Sequence, residues 1–405
     1  MSGVGARGSE RELATIPSHL LEPAHYAAVR LPVDRAETLP AWCYGSAEFY
    51  AREIERIFML GWHFVGRADL VAAPGDYLTV DTPGGPLVLL RDAGGCLGVF
   101  ANTCRHRGAR LFEGGGSCRT IVCPYHSWTY GPDGGLLGAP GMHDRPGFDR
   151  ADWGLTRARA ETWQGFVFVT FDPTAGALRD HLGDLGDKLG GYRFDEMLCV
   201  ERRDYEVACN WKLLIENAME EYHTGTVHHA SLGQQYAVQE ETRGHWDAIY
   251  IPQETSIAVL PGETAPFPPV TGLTGRPAHG TYFTLLHPAT QFACTQDCMW
   301  WLRVVPLEPT RSRLEVGFCF PRTTVARPDF AAGAALYFHR WETGIREDNR
   351  ICEAQQAGLR SALRTAGPFA LREPAVHRLN NWVLDQVLDG PDRRLLAFRT
   401  QPGAR

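Results

Sequence analysis

The sequence predicts an α+β protein in which a small all-β domain is inserted in, or precedes, a larger domain of antiparallel sheet with covering helices. Three observations predict this fold class. The chain has 405 residues, which exceeds the usual size of one compact domain. Short β-rich runs separated by Gly, Pro and Asp turns fill residues 62–171. Beyond residue 175, helical patterns alternate with strand-like runs.

Composition and charge exclude several classes of protein. The formal net charge is −7, which argues against a nucleic-acid binder. Residues 1–22 have no apolar core of signal-peptide length, and no apolar run reaches about 18 residues. We therefore expect a cytoplasmic protein with no membrane span. The eleven cysteines are irregularly spaced, so we expect metal ligands or buried thiols rather than a disulfide framework.

The first elements divide the chain into an arm and two domains. Residues 1–45 are punctuated by proline and weakly periodic, so we interpret them as an N-terminal arm and the start of the larger domain. Ser46–Leu60 has apolar residues at helical spacing and predicts a helix that leads the all-β domain. We place that domain at residues 46–175 and the larger domain at residues 176–405.

The larger domain has two predicted helices with strands between them. Asn210–Glu221 predicts the first helix, and Phe330–Arg364 predicts a second, longer one. The strand-like runs are His245–Ile251, Gly280–Leu286, Cys298–Pro306 and Arg313–Phe320. Helices covering an antiparallel sheet account for this pattern.

Two pairs of metal-ligating residues lie in the all-β domain. Cys104 and His106 form the first pair, and Cys123 and His126 form the second, with sixteen residues between His106 and Cys123. Together they can hold either one tetrahedral zinc ion or the two irons of a [2Fe–2S] cluster. Each pair mixes one thiol with one imidazole, whereas zinc fingers usually keep the two cysteines together. This mixing favours the cluster.

The two segments that carry these pairs, Cys104–Gly108 (CRHRG) and Cys123–Trp128 (CPYHSW), resemble the cluster motif of Rieske non-haem iron oxygenases, in their oxygenase (alpha) subunits. The resemblance implies that the two cysteines bind one iron of a [2Fe–2S] cluster and the two histidines bind the other. Neutral imidazoles in place of two thiolates raise the reduction potential of such a cluster.

A second constellation lies in and after the first helix of the larger domain. Asn217, Glu220 and His223 are spaced by three, so they would stack on one helix face. His223 and His228 are five apart, and a regular helix would splay them by about 140°. They converge only if the helix ends or bulges between them, and we expect this at residues 224–226. A lone histidine is usually a core or surface residue, but this combination predicts a metal site.

This segment resembles the catalytic iron motif of the same family. The resemblance implies that His223 and His228 bind a mononuclear Fe(II), and that Glu220 connects His223 to a cluster ligand, His126, as a path for electrons. We count Glu220 and Asn217 as catalytic residues. Most members of the family have aspartate where this chain has Glu220, and glutamate resembles the subgroup of carnitine and glycine betaine monooxygenases.

Two histidines need a carboxylate to complete a facial triad. Asp348 belongs to an otherwise apolar or weakly polar stripe of the long helix, formed by Trp341, Ile345, Asp348, Cys352 and Gln355. We therefore predict Asp348 as the third ligand. Glu347 points about 100° away and is expected to be solvated. The alternative is that Asp348 is a surface acid paired with Arg346 or Arg350.

The resemblance implies an oxygenase component that uses O2 and two external electrons. No dinucleotide-binding fingerprint is present in the sequence, so we expect electrons from NAD(P)H through a separate flavin or iron–sulfur reductase, with or without a ferredoxin. The resemblance also implies a homotrimer in which each cluster serves the iron of a neighbouring subunit. The alternative class is a Rieske electron-transfer protein, in which His223, His228 and Asp348 would have no task.

Two features favour monooxygenation and N-demethylation of a quaternary or N-methylated amine. One is Glu220, and the other is the pattern from Leu39 to Gly66, which resembles choline, carnitine and betaine monooxygenases. Aromatic faces can hold such a cation. Most of the following aromatic candidates are expected to be core: Trp246, Tyr250, Tyr282, Phe283, Trp300, Trp301 and Trp382. The alternative substrate is a carboxylated aromatic compound that is hydroxylated or O-demethylated.

Overall fold

The structure, a computed structural model, describes residues 19–388. The predicted N-terminal arm is therefore described from residue 19 onward, and residues 389–405 of the predicted larger domain lie outside the described residues. The described part of the arm contains two short 3-10 turns, Pro23–Tyr26 and Ala41–Tyr44. No helix within residues 19–388 is long and apolar enough to cross a bilayer.

The small domain is all-β, as predicted. Its strands are β1 (Trp62–Arg67), β2 (Asp76–Thr82), β3 (Gly85–Arg91), β4 (Leu97–Ala101), β5 (Gly115–Ser117), β6 (Ile121–Val122), β7 (Thr129–Tyr130), β8 (Leu136–Gly138), β9 (Arg159–Trp163) and β10 (Phe166–Thr170). They form three antiparallel sheets with the orders β4-β3-β2-β5, β6-β7-β8 and β1-β10-β9. Cys104 and Cys123 belong to the hydrophobic core between the first two sheets.

The larger domain is built on one antiparallel sheet of seven strands. Its strands are β11 (Met197–Val207), β12 (Val238–Gln239), β13 (Trp246–Pro252), β14 (Gly280–Leu286), β15 (Thr290–Cys294), β16 (Met299–Glu308) and β17 (Arg311–Pro321). Their order is β11-β17-β16-β15-β14-β13-β12. Trp300 and Trp301 are neighbours on β16 and belong to different cores, because successive side chains of a strand point to opposite faces. The four predicted strands match β13, β14, β16 and β17.

Helices cover this sheet. They are α1 (Ala47–Glu53), α2 (Leu178–Leu182), α3 (Leu185–Leu189), α4 (Trp211–Ala218), α5 (Thr224–Val227), α6 (Arg322–Val325), α7 (Phe330–Gly358) and α8 (Pro374–Leu388). The side chain of Ser46 caps α1 by accepting a hydrogen bond from the Phe49 amide, and the helix continues as a wider π turn over Ile54–Phe58. The long helix α7 ends at Gly358 rather than at Arg364, consistent with the low helix propensity of glycine.

The helix that leads the predicted all-β domain packs in the core of the larger domain. Phe49 of α1 and Phe58 of the following turn share a core with Trp211 of α4, and the rings of Phe58 and Trp211 are 5.2 Å apart. The predicted boundaries at residues 45/46 and 175/176 stay a prediction. The packing of α1 favours a start of the small domain after Phe58.

A fully buried ion pair joins α1 to α4. Lys212 Nζ lies 2.6 Å from Glu53 Oε1, and both side chains are 0% exposed. The indole of Trp211 donates a second hydrogen bond to Glu53, at 3.1 Å. Burial raises the pKa of Glu53, and the ammonium of Lys212 opposes that rise. The pair therefore anchors the helix that leads into the second predicted metal motif.

Replacing Lys212 by methionine should destabilise the larger domain by about 3–5 kcal/mol, because the buried Glu53 carboxylate would lose its partner. Thermal unfolding followed by calorimetry measures the loss. The matched control is Lys212→Met with Glu53→Met, which removes both charges and should recover most of the stability. An unchanged midpoint in the single variant would contradict an anchoring role for the pair.

Candidate active site

The two cysteine–histidine pairs lie on two loops with the same backbone geometry. In the first loop the Gly108 amide donates to the Cys104 carbonyl at 2.9 Å, and in the second the Ser127 amide donates to the Cys123 carbonyl at 3.1 Å. The fifth residue of each loop has a positive φ, 75° for Gly108 and 57° for Ser127. Each motif therefore folds locally into a closed loop, which brings its cysteine and its histidine together.

The four side chains do not surround a single point: the two cysteines lie together in the core, and the two histidines lie beside each other. Cys104 and Cys123 are buried, and the rings of His106 and His126 are 4.7 Å apart. A single tetrahedral zinc ion would hold all four ligand atoms about 3.5 Å from one another. Within residues 19–388, the structure brings three or more ligand atoms of His, Cys, Asp or Glu within 4.8 Å of one another at only one place. That place does not include the four residues of the two loops. The arrangement fits a two-iron cluster better than zinc.

The surroundings of the pairs also fit a cluster. The buried Nδ1 of His126 has no hydrogen-bond partner, so it is available to a metal. Desolvation lowers the pKa of His126, and His106 and Arg107 add to the effect; this favours the neutral imidazole that binds metals. Burial raises the pKa of the Cys104 thiol, so its thiolate form needs a nearby positive charge. Iron would supply that charge.

The second motif departs from the predicted helix. We expected Asn210–Glu221 to be helical with the break at residues 224–226. Instead α4 ends at Ala218, and residues 224–227 form the short helix α5. The Glu220 side chain explains the early break, because its Oε2 accepts a hydrogen bond from the His223 amide at 3.1 Å and so starts a new turn. His228 follows α5 with non-helical dihedrals.

The two histidines nevertheless converge with Asp348, as predicted from the sequence. Nε2 of His223 lies 3.5 Å from Asp348 Oδ1, and Nε2 of His228 lies 3.1 Å from the same oxygen. These three residues form the one group within residues 19–388 whose ligand atoms all lie within 4.8 Å of one another. Asp348 makes no ion pair with Arg346 or Arg350 in the described part of the chain. Arg346 pairs with Glu342 instead.

Each histidine is held at its other nitrogen by a glutamate. Nδ1 of His223 lies 2.6 Å from Glu220 Oε1, and Nδ1 of His228 lies 2.6 Å from Glu347 Oε2. A carboxylate at Nδ1 fixes the proton there and leaves the Nε2 lone pair free, which is the usual outer support of a metal-binding histidine. Both free nitrogens face the same oxygen of Asp348.

Glu347, which we expected to be solvated, is only partly so, because it also contacts His228. Its side chain is 32% exposed, and it also accepts a hydrogen bond from the Ser231 hydroxyl at 2.6 Å. The helical wheel places Glu347 off the buried stripe of α7, and it cannot show that His228 approaches from that side. The last residue of the predicted buried stripe was wrong, because Gln355 is exposed and its neighbour Gln356 is buried instead.

The electrostatics of the three-residue site suit a cation. Burial lowers the pKa of His228, but the carboxylates of Asp348 and Glu347 outweigh that effect and raise it overall. The buried Oδ1 of Asp348 has no hydrogen-bond partner. A buried carboxylate oxygen without a donor is costly unless a metal compensates it. Two neutral imidazoles and one carboxylate are the donor set of a facial-triad Fe(II) site.

A cavity of about 100 Å³ adjoins these three residues. Its wall is mostly apolar and includes Leu214, Ile249, Phe283, Leu302, Trp341 and Ile345. Asn217, predicted as catalytic, also lines the cavity. Of the seven aromatic candidates named from the sequence, only Phe283 lines it. Most of the others are core, as expected: Trp246, Tyr250, Tyr282, Trp300 and Trp301.

Comparisons with known proteins agree with this geometry. The family model of the Rieske [2Fe-2S] domain matches residues 61–149, and that of the ring hydroxylating alpha subunit (catalytic domain) matches residues 194–389. The second match bears directly on the alternative class, because a pure electron carrier has no need of a catalytic domain.

Relatives and solved structures match along most of the chain. Choline monooxygenase of Spinacia oleracea is 26% identical, with 92% of this chain and 83% of that protein covered. The glycine betaine monooxygenase oxygenase subunit of Chromohalobacter salexigens is 28% identical, with 88% and 87% covered. A solved quaternary ammonium Rieske monooxygenase shares the fold with a TM-score of 0.76 at 24% identity, with 88% and 98% covered.

The α+β fold, the cluster domain and the oxygenase class predicted from the sequence are thus confirmed. The two family models match in chain order on the two domains that the structure describes. The chain belongs to the Rieske oxygenase alpha subunits, oxidoreductases that join a Rieske [2Fe-2S] domain to a non-haem iron catalytic domain.

Proposed function

We propose that this protein is the oxygenase component of a monooxygenase that acts on a quaternary or N-methylated amine. His223, His228 and Asp348 would hold the mononuclear Fe(II), while Cys104, Cys123 and the paired histidines His106 and His126 would hold the cluster. The observation that supports this most directly is the convergence of two free imidazole nitrogens on one unpartnered carboxylate oxygen at the wall of an apolar cavity. When bound, the mononuclear iron supplies the centre for O2 activation and the cluster supplies an electron.

The residues of this chain would prepare the reaction in three ways. Glu220 and Glu347 hold the two imidazoles with Nε2 toward the metal position. The apolar wall keeps water away from the reacting face. Asn217 places an amide at the same wall, where it can orient a polar group of O2 or substrate.

The substrate class rests on the relatives and on the cavity. Choline and glycine betaine, the compounds named for the relatives, are quaternary ammonium compounds. Oxidation of a methyl group beside nitrogen consumes O2, two electrons and two protons, puts one oxygen atom on carbon and releases the other as water. The resulting hemiaminal breaks down to an aldehyde and an amine. The ring of Phe283 and the acidic groups near the metal position can stabilise the cationic end.

Electrons would come from a separate reductase that draws on NAD(P)H, with or without a ferredoxin, since the glycine betaine relative is named as an oxygenase subunit. We further propose a homotrimer in which Glu220 meets His126 of the partner subunit. Two exposed aromatic residues support such a contact. Tyr125 beside His126 and Tyr222 near Glu220 are each 55% exposed. A cytoplasmic location stays a prediction.

Iron analysis combined with a substrate screen tests the proposal. Purified oxidised protein should be red-brown and contain about three irons per chain, two in the cluster and one at the triad. With a surrogate reductase, quaternary amines should give aldehyde in proportion to the O2 consumed. Colourless protein with zinc, or coupled turnover of aromatic acids but not of amines, would contradict the proposed function.

A further inference from the structure

A buried arginine without a carboxylate partner lines the cavity. Arg340 of α7 is 4% exposed and belongs to the cavity wall. Its Nε donates to the Ile257 carbonyl at 3.0 Å, and among residues 19–388 it makes no ion pair. Two equally buried arginines differ in this respect. Arg67 pairs with Asp69, and Arg303 pairs with Glu315 through two nitrogens.

Burial of this guanidinium is compensated only in part. Its carbon lies 4.6 Å from the centre of the Trp341 ring, a cation–π contact. Burial nevertheless lowers the pKa of Arg340 to about 10, although Asp348 and Glu347 oppose that shift. The group stays charged at neutral pH and lacks the bidentate anion that its planar fork is suited to bind. An unpaired buried cation at a cavity wall marks a place for an anion.

The position of Arg340 relates it to the metal site. Arg340, Gly344 and Asp348 are spaced by four on one face of α7, so two turns, about 12 Å of rise, separate the first from the last. A Cβ atom on Gly344 would lie 3.6 Å from Nη1 of Arg340, so the guanidinium reaches the middle of this face. Gly344 also lines the cavity, at the position between the two charged residues on this face.

The cavity wall therefore carries both signs of charge. Asp348 and Glu220 lie on the wall around the metal position, and the guanidinium of Arg340 lies on the same wall near Gly344, about one turn of α7 from Asp348. A ligand in the cavity can therefore contact negative charge at one group and positive charge at the other. A zwitterion with its cation toward the metal satisfies both charges, whereas choline, which has no anionic group, satisfies one.

We propose that Arg340 binds a carboxylate of the substrate, so that the substrate is a zwitterionic betaine whose quaternary ammonium group lies toward the metal position. This inference rests on the proposed function and narrows it. The guanidinium fork accepts the carboxylate, and the N-methyl group is thereby directed toward His223, His228 and Asp348. Arg340 thus discriminates betaines from the alcohol choline, which differs from glycine betaine by CH2OH in place of the carboxylate.

Anaerobic calorimetry on the iron-loaded, oxidised protein tests the inference without turnover. The probes are glycine betaine, carnitine and choline. Wild-type protein should bind both zwitterions about 10- to 100-fold more tightly than choline, which is the effect of charge-assisted hydrogen bonds to a buried partner. Arg340→Met should remove that preference and leave the affinity for choline within a few-fold. Arg340→Lys should retain part of the preference, because it keeps the charge and loses the fork.

Two controls separate binding from folding. Arg350→Met removes an exposed arginine of the same helix and should change no affinity. The visible spectrum and the iron content of each variant show that the protein is intact, and Arg340→Gln serves as a second neutral variant if the methionine variant fails to fold. Equal wild-type affinity for choline and betaine, or an equal loss of both in the variants, would overturn the role of Arg340 and leave the proposed function standing. Failure of wild-type protein to bind or oxidise any of the three amines would overturn the proposed function itself.

Discussion

Asp348→Ala should abolish turnover while the protein keeps the colour of its cluster. Removing the carboxylate leaves two imidazoles, which bind Fe(II) weakly, so the mononuclear iron is lost and the cluster ligands are untouched. The iron content should fall from about three to about two atoms per chain. Activity should fall by more than about 100-fold, beyond the effect of losing an outer partner of a metal ligand. Metal analysis and the visible spectrum, measured on the same sample, check both parts.

The neighbouring acid provides the control. Glu347→Ala removes the hydrogen bond to Nδ1 of His228 and keeps all three proposed ligands. We expect iron affinity or activity to fall by about 10- to 100-fold in that variant, and excess Fe(II) should restore part of the activity. If Glu347→Ala stripped the iron completely while Asp348→Ala kept it, the choice between the two adjacent acids would be wrong.

Glu220→Gln should keep both metals and slow the passage of electrons between them. The carboxylate of Glu220 receives two hydrogen bonds from His223, one from the ring and one from the amide, and a neutral side chain cannot provide the same charge at the proposed bridge. Stopped-flow absorbance measures the step directly, as reoxidation of the reduced cluster after mixing with O2 and substrate. We expect a decrease of more than about 100-fold, again beyond the effect of lost orientation alone.

Glu347→Gln is the matched variant for this experiment. Glu220 and Glu347 make the same contact, 2.6 Å from a carboxylate oxygen to Nδ1 of a proposed ligand, and Glu347 has no proposed role in electron transfer. In iron-loaded Glu347→Gln protein the cluster should reoxidise within a few-fold of the wild-type rate. Equal slowing in both variants would reduce Glu220 to an orienting residue and remove its bridging role.

The two loops that carry the cysteine–histidine pairs show how far a local pattern predicts a site. Cys104 and His106 lie on one closed loop, and Cys123 and His126 lie on another, so residue spacing alone specifies each pair. Strands β13, β14, β16 and β17 could likewise be predicted from local sequence, because each is a short run of β-branched and aromatic residues between turns. Asp348 was predicted as the third metal ligand because it is the single acid on the stripe of α7 that was expected to be buried.

Features that depend on contact between two distant segments of the chain could not be predicted from such local patterns. The sequence by itself determined the class of enzyme, through the resemblance of its two motifs to a known family. It also predicted the cluster ligands, the histidine pair and Asp348 as the third ligand, because each of these predictions depends on the spacing of residues within short segments. Tertiary structure alone decided that α4 ends at Ala218, that Glu347 supports His228 from 119 positions away, and that Arg340 faces the cavity without an anion. Helical periodicity tells which side of a helix is buried, but the residue that meets that side comes from a distant part of the chain, and only the packed fold brings the two together.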